Sequence, residues 1–137
     1  MSNMITIELA KVNDLPHIKP LLVELMAAIN NTEGFDIEKS IENCAILLKD
    51  PANYMLVAKE KGRLVGFVNF TTRRTIMHPS PSGLIDELVV TKDSLSKGIG
   101  KQLILAVVDR CRELGCCEVE VSTEKNNIKA RAFYISC

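Results

Sequence analysis

The sequence carries no surplus of charge. Lys plus Arg and Asp plus Glu each number 17 in 137 residues, so the surface as a whole attracts neither nucleic acid nor an anionic membrane. No apolar run approaches the length needed to span a bilayer. The start, Met1-Ser2-Asn3-Met4-Ile5-Thr6, has no basic region followed by an apolar stretch, so no secretory signal is visible and the cytoplasm is the expected location. Repeats, low-complexity tracts and linker-like shifts in composition are also absent. Cysteine is present without a pattern. Cys44, Cys111, Cys116, Cys117 and Cys137 are odd in number, and two are adjacent, which fits neither a disulfide framework nor the paired CxxC spacing of a zinc site. They read as small buried apolar residues or free thiols in a reducing compartment, and no metal is expected. What remains is an ordinary globular balance, 47% hydrophobic and 25% charged, at a length that suits one domain over residues 1–137 with one core.

Residues 4–10 alternate apolar and polar and suggest a first strand. Asn13-Asp14 offers a cap to a helix carrying Leu15, Ile18, Leu22, Leu25, Met26 and Ile29, which Pro20 should bend or delay. Asp36 can cap a second helix with Ile37, Ile41, Cys44, Ala45 and Leu48 on one face, ended by Asp50-Pro51. Tyr54–Ala58 and Leu64–Thr71, joined at Lys61-Gly62, predict a hairpin. Leu84–Val90 predicts a central strand, and the loop Thr91–Lys97 follows. Gly98 opens a helix with Ile99, Leu103, Val107, Cys111 and Leu114 on one face, and Gly115 ends it. Cys116–Val121 predicts another strand and Asn126–Ile135 a last helix. This order predicts an α/β or α+β sheet with helices packed on it.

The most informative stretch is the strand, glycine-containing loop and helix from Leu84 to Leu103. Gly98 and Gly100 let the backbone turn sharply and let a ligand approach the amides. The helix start offers unpaired N–H groups and the positive end of a dipole, so a pyrophosphate fits there, and Lys97 and Lys101 add charge. A lone GxG is also what a tight turn needs. The dinucleotide fingerprint is excluded because Leu103 stands where a third small residue belongs. A P-loop is excluded because Leu95 and Gln102 stand where it needs a glycine and a hydroxyl residue.

The stretch IDELVVTKDSLSKGIGKQLI resembles the acetyl-CoA motif of the GNAT N-acetyltransferases: a strand, then Q/R-x-x-G-x-G/A, then a helix. Asn127-x-x-Ala130-x-x-Phe133-Tyr134 is similar to the family's C-terminal signature, and the early two-helix segment and the Leu64–Phe67 strand agree in order. The resemblance implies a mixed, mostly antiparallel sheet flanked by helices. It also implies a splay between the strands starting near Leu84 and Cys116 that admits the arm of the co-substrate acetyl-CoA. Backbone groups of Leu88, Val89 and Val90 would then hold the pantetheine, Ser96, Lys97, Gly98, Ile99, Gly100 and Lys101 the pyrophosphate, and Asn127 the pantetheine or the last helix. Two features depart from the family. Leu95 occupies the Q/R position, which implies a weakened side-chain contact with the phosphates. The chain also stops at Cys137, before the Gly-Phe and final strand of the family, which implies a truncated domain without its C-terminal strand. The family often dimerises, so a homodimer is among the assemblies allowed.

Direct attack of an amine on a thioester needs a neutral amine, a polarised carbonyl and a proton for the departing thiolate. Glu87, in an otherwise apolar strand where the family often places a carboxylate, is the candidate base. Asp86 points to the opposite face of a regular strand, so at most one of the two faces the substrate unless a β-bulge intervenes. A backbone N–H near Val90 is the candidate oxyanion donor, and Tyr134 matches the family's tyrosine as the candidate acid. Arg73, Arg74 and His78 follow the third strand where the family builds its acceptor pocket. The two arginines could hold an anionic group on the amine, such as a carboxylate or phosphonate, although strand-end arginines are more often solvated charges. Element lengths loosely similar to those of the aminoalkylphosphonate N-acetyltransferases point the same way. The expected activity is acetyl transfer to a small-molecule amine. Transfer to a protein N-terminus or lysine, and acyl-CoA binding without turnover, are the rival readings.

Overall fold

The computed structural model describes residues 4–28, 35–121 and 131–134. Its elements are β1 (Ile5–Leu9), α1 (Leu15–Ala28), α2 (Ile37–Leu47), β2 (Asn53–Glu60), β3 (Arg63–Arg73), β4 (Ser82–Val90), α3 (Ile99–Glu113), β5 (Glu118–Val121) and β6 (Arg131–Tyr134). Short 3-10 turns precede α1 at Val12–Asp14 and α3 at Lys92–Lys97. The strands form one six-stranded sheet in the order β1-β2-β3-β4-β5-β6, antiparallel throughout except for the parallel pair β4–β5. That parallel pair requires a crossover, and α3 supplies it.

Alternation along the strands splits the core in two. On one face, α3 lays Ile99, Leu103, Val107 and Cys111 on Leu56, Ala58, Val68, Phe70 and Ile85. On the other, α1 and α2 cover Met55, Val57, Phe67 and Val89 with Ile18, Leu21, Leu22 and Cys44. The expected cap is found for α2, whereas at α1 the Asp14 carboxylate bonds back to Lys11 across the 3-10 turn that precedes the helix. Asp36 accepts hydrogen bonds from the amides of Glu38 and Lys39 and caps α2. Asp14 accepts from the Lys11 amide at 2.8 Å and pairs with Lys59 at 3.0 Å, which pins the approach to α1 onto β2. Burial alone would raise the Asp14 carboxyl, but these partners outweigh it and hold it below the usual carboxylate value. Pro20 sits inside α1 without ending it.

Gly83 is where sheet and helix approach most closely: a Cβ built there would lie 2.5 Å from the Cys111 sulfur. Gly83→Ala is therefore expected to destabilise the fold by about 1–3 kcal/mol, measured by denaturant unfolding. Adding Cys111→Ala should cost less than the sum of the two single changes. An unchanged midpoint in Gly83→Ala would show that the contact relaxes without strain.

Two expectations need correction. The C-terminal segment was expected to be helical over Asn126–Ile135, but Arg131–Tyr134 form β6, paired antiparallel with β5 from Glu118↔Tyr134 to Val121↔Arg131. The run Arg131-Ala132-Phe133-Tyr134 is short and rich in aromatics, and pairing with β5 satisfies its backbone as well as a helix would. Residues 126–130 and 135 lie outside the described residues. The second correction concerns the cysteines. Cys44, Cys111 and Cys116 keep their thiols and are buried, as a core role requires, and burial next to Cys116 pushes the Cys111 thiol up to about 12. Cys117 is disulfide-bonded instead; an odd cysteine count argues against a fully paired framework but not against one bridge. Cys137 lies outside the described residues.

Candidate functional site

The strand that carries the candidate base is irregular. Against β3, Glu87 pairs with Asn69 and Ile85 pairs with Phe70, so Asp86 is an extra residue without a register partner. A one-residue bulge reverses the facing of everything beyond it. Gly83 and Ile85 therefore face α3, while Val89 belongs to the α1/α2 side and Glu87 shares its parity. Without the bulge, Glu87 would point with Ile85 into the α3 core.

The bulge opens onto a cavity of about 610 Å³ between α1, α2 and the sheet. Its wall is apolar along Leu22, Leu25, Met26, Phe35, Met55 and Phe67, and polar where Asn69, Asp86 and Glu87 meet. The Asn69 amide nitrogen donates to Glu87 Oε1 at 3.3 Å. The bulge thus brings both candidate carboxylates to the cavity and leaves Glu87 as the one paired with Asn69.

A second feature adjoins this cavity. The β4–β5 ladder ends at Ile85↔Val121, whereas β4 continues to Val90 against β3 alone among the described residues. Residues 122–130, which follow Val121, lie outside the described residues. Beyond β4, the Glu24 carboxylate accepts from the Thr91 hydroxyl at 2.9 Å and the Lys92 amide at 3.0 Å, tying α1 to the exit of β4. The 3-10 turn over Lys92–Lys97, which includes Ser96, then leads to Gly98 at φ 73°, and α3 begins at Ile99. The first bond inside α3 runs from the Gln102 amide to the Gly98 carbonyl, so helix geometry aims the amides of Ile99, Gly100 and Lys101 out of its N-terminal end. A Cβ built at Gly98 meets nothing within 4 Å, and one at Gly100 meets only Val90 Cγ2 at 3.8 Å. Open space beside the unpaired amides of a helix start suits an anion.

Other candidates are placed differently. Lys97 is committed to Glu60 through contacts of 3.1 and 3.2 Å, whereas Lys101 is exposed on the first turn of α3. Leu95, at the departed Q/R position, is 67% exposed. Arg73, Arg74 and His78 are all exposed, and the His78 ring bonds the Thr75 hydroxyl at 2.8 Å. None of these three lines the cavity. Tyr134 enters β6, with its backbone opposite Glu118, and Asn127 lies outside the described residues. Among the described residues no cluster could hold a metal ion, and no helix is long and apolar enough to cross a membrane. Asn69 and Glu24 were not singled out from the sequence. The signal for Asn69 was a lone amide in the apolar run Leu64–Phe70.

Comparison with known proteins follows this geometry. The family model described as "Acetyltransferase (GNAT) family" matches residues 18–137. A mycothiol acetyltransferase from Segniliparus rotundus is 32% identical over 74% of this chain, and the match spans only 38% of that protein's length. An aminoalkylphosphonate N-acetyltransferase from Salmonella typhimurium is 26% identical over 92% of this chain and 79% of its own. Among solved structures, an aminoglycoside N-acetyltransferase in complex with CoA superposes with a TM-score of 0.77 at 21% identity, covering 93% of this chain and 82% of that one. Matched from residue 18 to residue 137 and folded as that enzyme is, the chain belongs to the GNAT acetyltransferase family of acyltransferase enzymes.

Proposed function

We propose that this chain transfers the acetyl group of acetyl-CoA to the primary amine of a small molecule by direct attack on the thioester. The observation that carries the proposal is the bulge at Asp86, which turns Glu87 from the α3 core into a cavity between α1, α2 and the sheet. A carboxylate and a substrate-sized space meet there.

The residues present fit the donor. The glycine cradle at Gly98 and Gly100, the amides over Ser96–Lys101 and the exposed Lys101 suit a pyrophosphate. Lys97 contributes backbone only, because its ammonium is held by Glu60. By the family resemblance, the backbone of Leu88–Val90 would hold the extended arm along β4. Acetyl-CoA, when bound, supplies the activated carbonyl. The protein's own part is proton management. Alkyl amines carry a proton at neutral pH, with pKa about 10, and Glu87 accepts it directly or through a water. Tyr134 is assigned the opposite transfer, its hydroxyl protonating the departing sulfur, and Asn127 a contact with the arm; both assignments rest on the family resemblance.

Titration of acetyl-CoA into the chain by calorimetry is expected to give saturable binding, and a panel of primary amines is expected to release free CoA thiol. A folded chain that gives no saturable heat overturns the reading.

A further inference from the structure

We infer that Glu24 is a positioning residue for acetyl transfer: it latches the second half of α1 to the exit of β4 and so sets a wall of the acceptor cavity against the donor's cradle. This deepens the acetyl-transfer reading and rests on it.

The latch joins groups far apart in the chain. One Glu24 carboxylate oxygen accepts from the Thr91 hydroxyl at 2.9 Å and the other from the Lys92 amide at 3.0 Å. Hydrogen bonds to an ionised acceptor are among the strong ones. Thr91 stands at the cap position of the 3-10 turn Lys92–Lys97, yet its own side chain makes no cap bond. A carboxylate from another helix serves instead, at the end of the turn where negative charge is favoured. The β4 side of the latch is firmly held. Thr91 is buried, its amide donates to the Val65 carbonyl at 2.9 Å, and its carbonyl accepts from the Ser94 amide at 3.0 Å.

The α1 side depends more on the latch. Pro20 lies inside α1. A proline has no N–H for the carbonyl four residues back, so the helix lacks a rung one turn before Glu24 and can bend there. Pro20, Glu24 and Thr91 also line a second cavity of about 660 Å³, between α1 and the strand ends. Glu24 spans that gap. The part of α1 beyond Pro20 is also the part that lines the acceptor cavity, through Leu22, Leu25 and Met26. Any shift of this half moves that wall relative to Glu87, whose strand is fixed by its pairing with β3. Misplacement of a reactant by about 1 Å can cost on the order of 10²-fold in rate. The cradle at the start of α3, by contrast, follows a turn that Thr91's own backbone bonds retain. Loss of the latch therefore affects the acceptor and spares the donor.

The test is Glu24→Ala in the whole chain, a change that costs α1 no helix propensity. Amide hydrogen exchange over residues 21–28 is expected to quicken about tenfold or more, with residues 65–70 unchanged. Phenethylamine, glucosamine and aminomethylphosphonate are assayed by release of CoA thiol, and the fastest serves for kinetics. Its kcat/KM is expected to fall about tenfold or more in Glu24→Ala, while the calorimetric affinity for acetyl-CoA stays native. Glu24→Gln is expected to restore both exchange and kcat/KM, because its oxygen accepts from the Lys92 amide and its nitrogen donates to the Thr91 oxygen. A merely structural Glu24 would lower the unfolding midpoint and leave kcat/KM of the folded chain native. Native exchange over residues 21–28, or native kcat/KM, in Glu24→Ala overturns the inference. Where Glu24→Ala fails to fold, Thr91→Val removes one of the two contacts and is read in the same way, with changes of about threefold expected. A native chain that neither binds acetyl-CoA nor releases thiol marks failure of the acetyl-transfer reading instead, and hydrogen exchange then decides the latch by itself.

Discussion

Glu87→Gln is expected to lower kcat about 10²–10⁴-fold, the range that a positioned general base contributes, with acetyl-CoA affinity unchanged. Glutamine keeps the length of the side chain and an oxygen able to accept from the Asn69 amide, so the contact at 3.3 Å survives. What it loses is basicity. A loss in kcat without a loss of acetyl-CoA binding separates proton transfer from assembly of the site. The neighbouring carboxylate provides the control. Asp86 lines the same cavity but is the bulged residue, outside the Asn69↔Glu87 register. Asp86→Asn is expected to cost less than Glu87→Gln, measured as kcat/KM on one amine. The reverse order would assign the base to the bulged residue itself, and equal retention of activity by both variants would remove the carboxylate mechanism.

What the sequence could and could not disclose follows from the range of each interaction. The strand, glycine loop and helix from Leu84 to Leu103 were legible because their signals are local: apolar spacing, two glycines and a helix start. The hairpin and the Asp36 cap were legible for the same reason, although β3 runs to Arg73 and β4 begins at Ser82, beyond the apolar runs that announced them. Pairing with a neighbouring strand extends a strand past its own hydrophobic signal. The choice between Asp86 and Glu87 was not legible, since it depends on the register between β3 and β4 and not on either strand alone. Lys97 looked like a phosphate ligand in its own segment, and only the fold brings Glu60 to it. Asn69 is the plainest case. One amide in a strand has no meaning until the bulge turns Glu87 toward it. At the C-terminal end, the Asn-x-x-Ala-x-x-Phe-Tyr spacing reads equally as a helix face and as a short aromatic strand, and β5 settles Arg131–Tyr134 as the latter.

Gly100→Glu is expected to weaken acetyl-CoA binding about 100-fold or more, equivalent to about 2.7 kcal/mol, while the fold becomes no less stable. The two effects separate because the residue stands where the scaffold has room and the ligand does not. A Cβ at Gly100 meets only Val90 Cγ2 at 3.8 Å, an ordinary contact. Within the first turn of α3, any residue but proline is a better helix former than glycine, by up to about 1 kcal/mol, and an acid there is favoured by the helix dipole. Folding therefore gains or breaks even. For the pyrophosphate the same substitution is adverse twice. The side chain enters the space above the amides of Ile99, Gly100 and Lys101, and its carboxylate competes for their positive field while repelling another anion. Gly100→Ala fills the space without the charge and is expected to fall between the native chain and Gly100→Glu. Added salt should narrow the gap between Glu and Ala by screening the repulsion. Calorimetric titration of acetyl-CoA and a thermal unfolding midpoint, measured on all three chains, provide the check. Native affinity in Gly100→Glu would mean that the phosphates do not bind at the start of α3, and the backbone of Leu88–Val90 would then have to hold the donor by its arm alone.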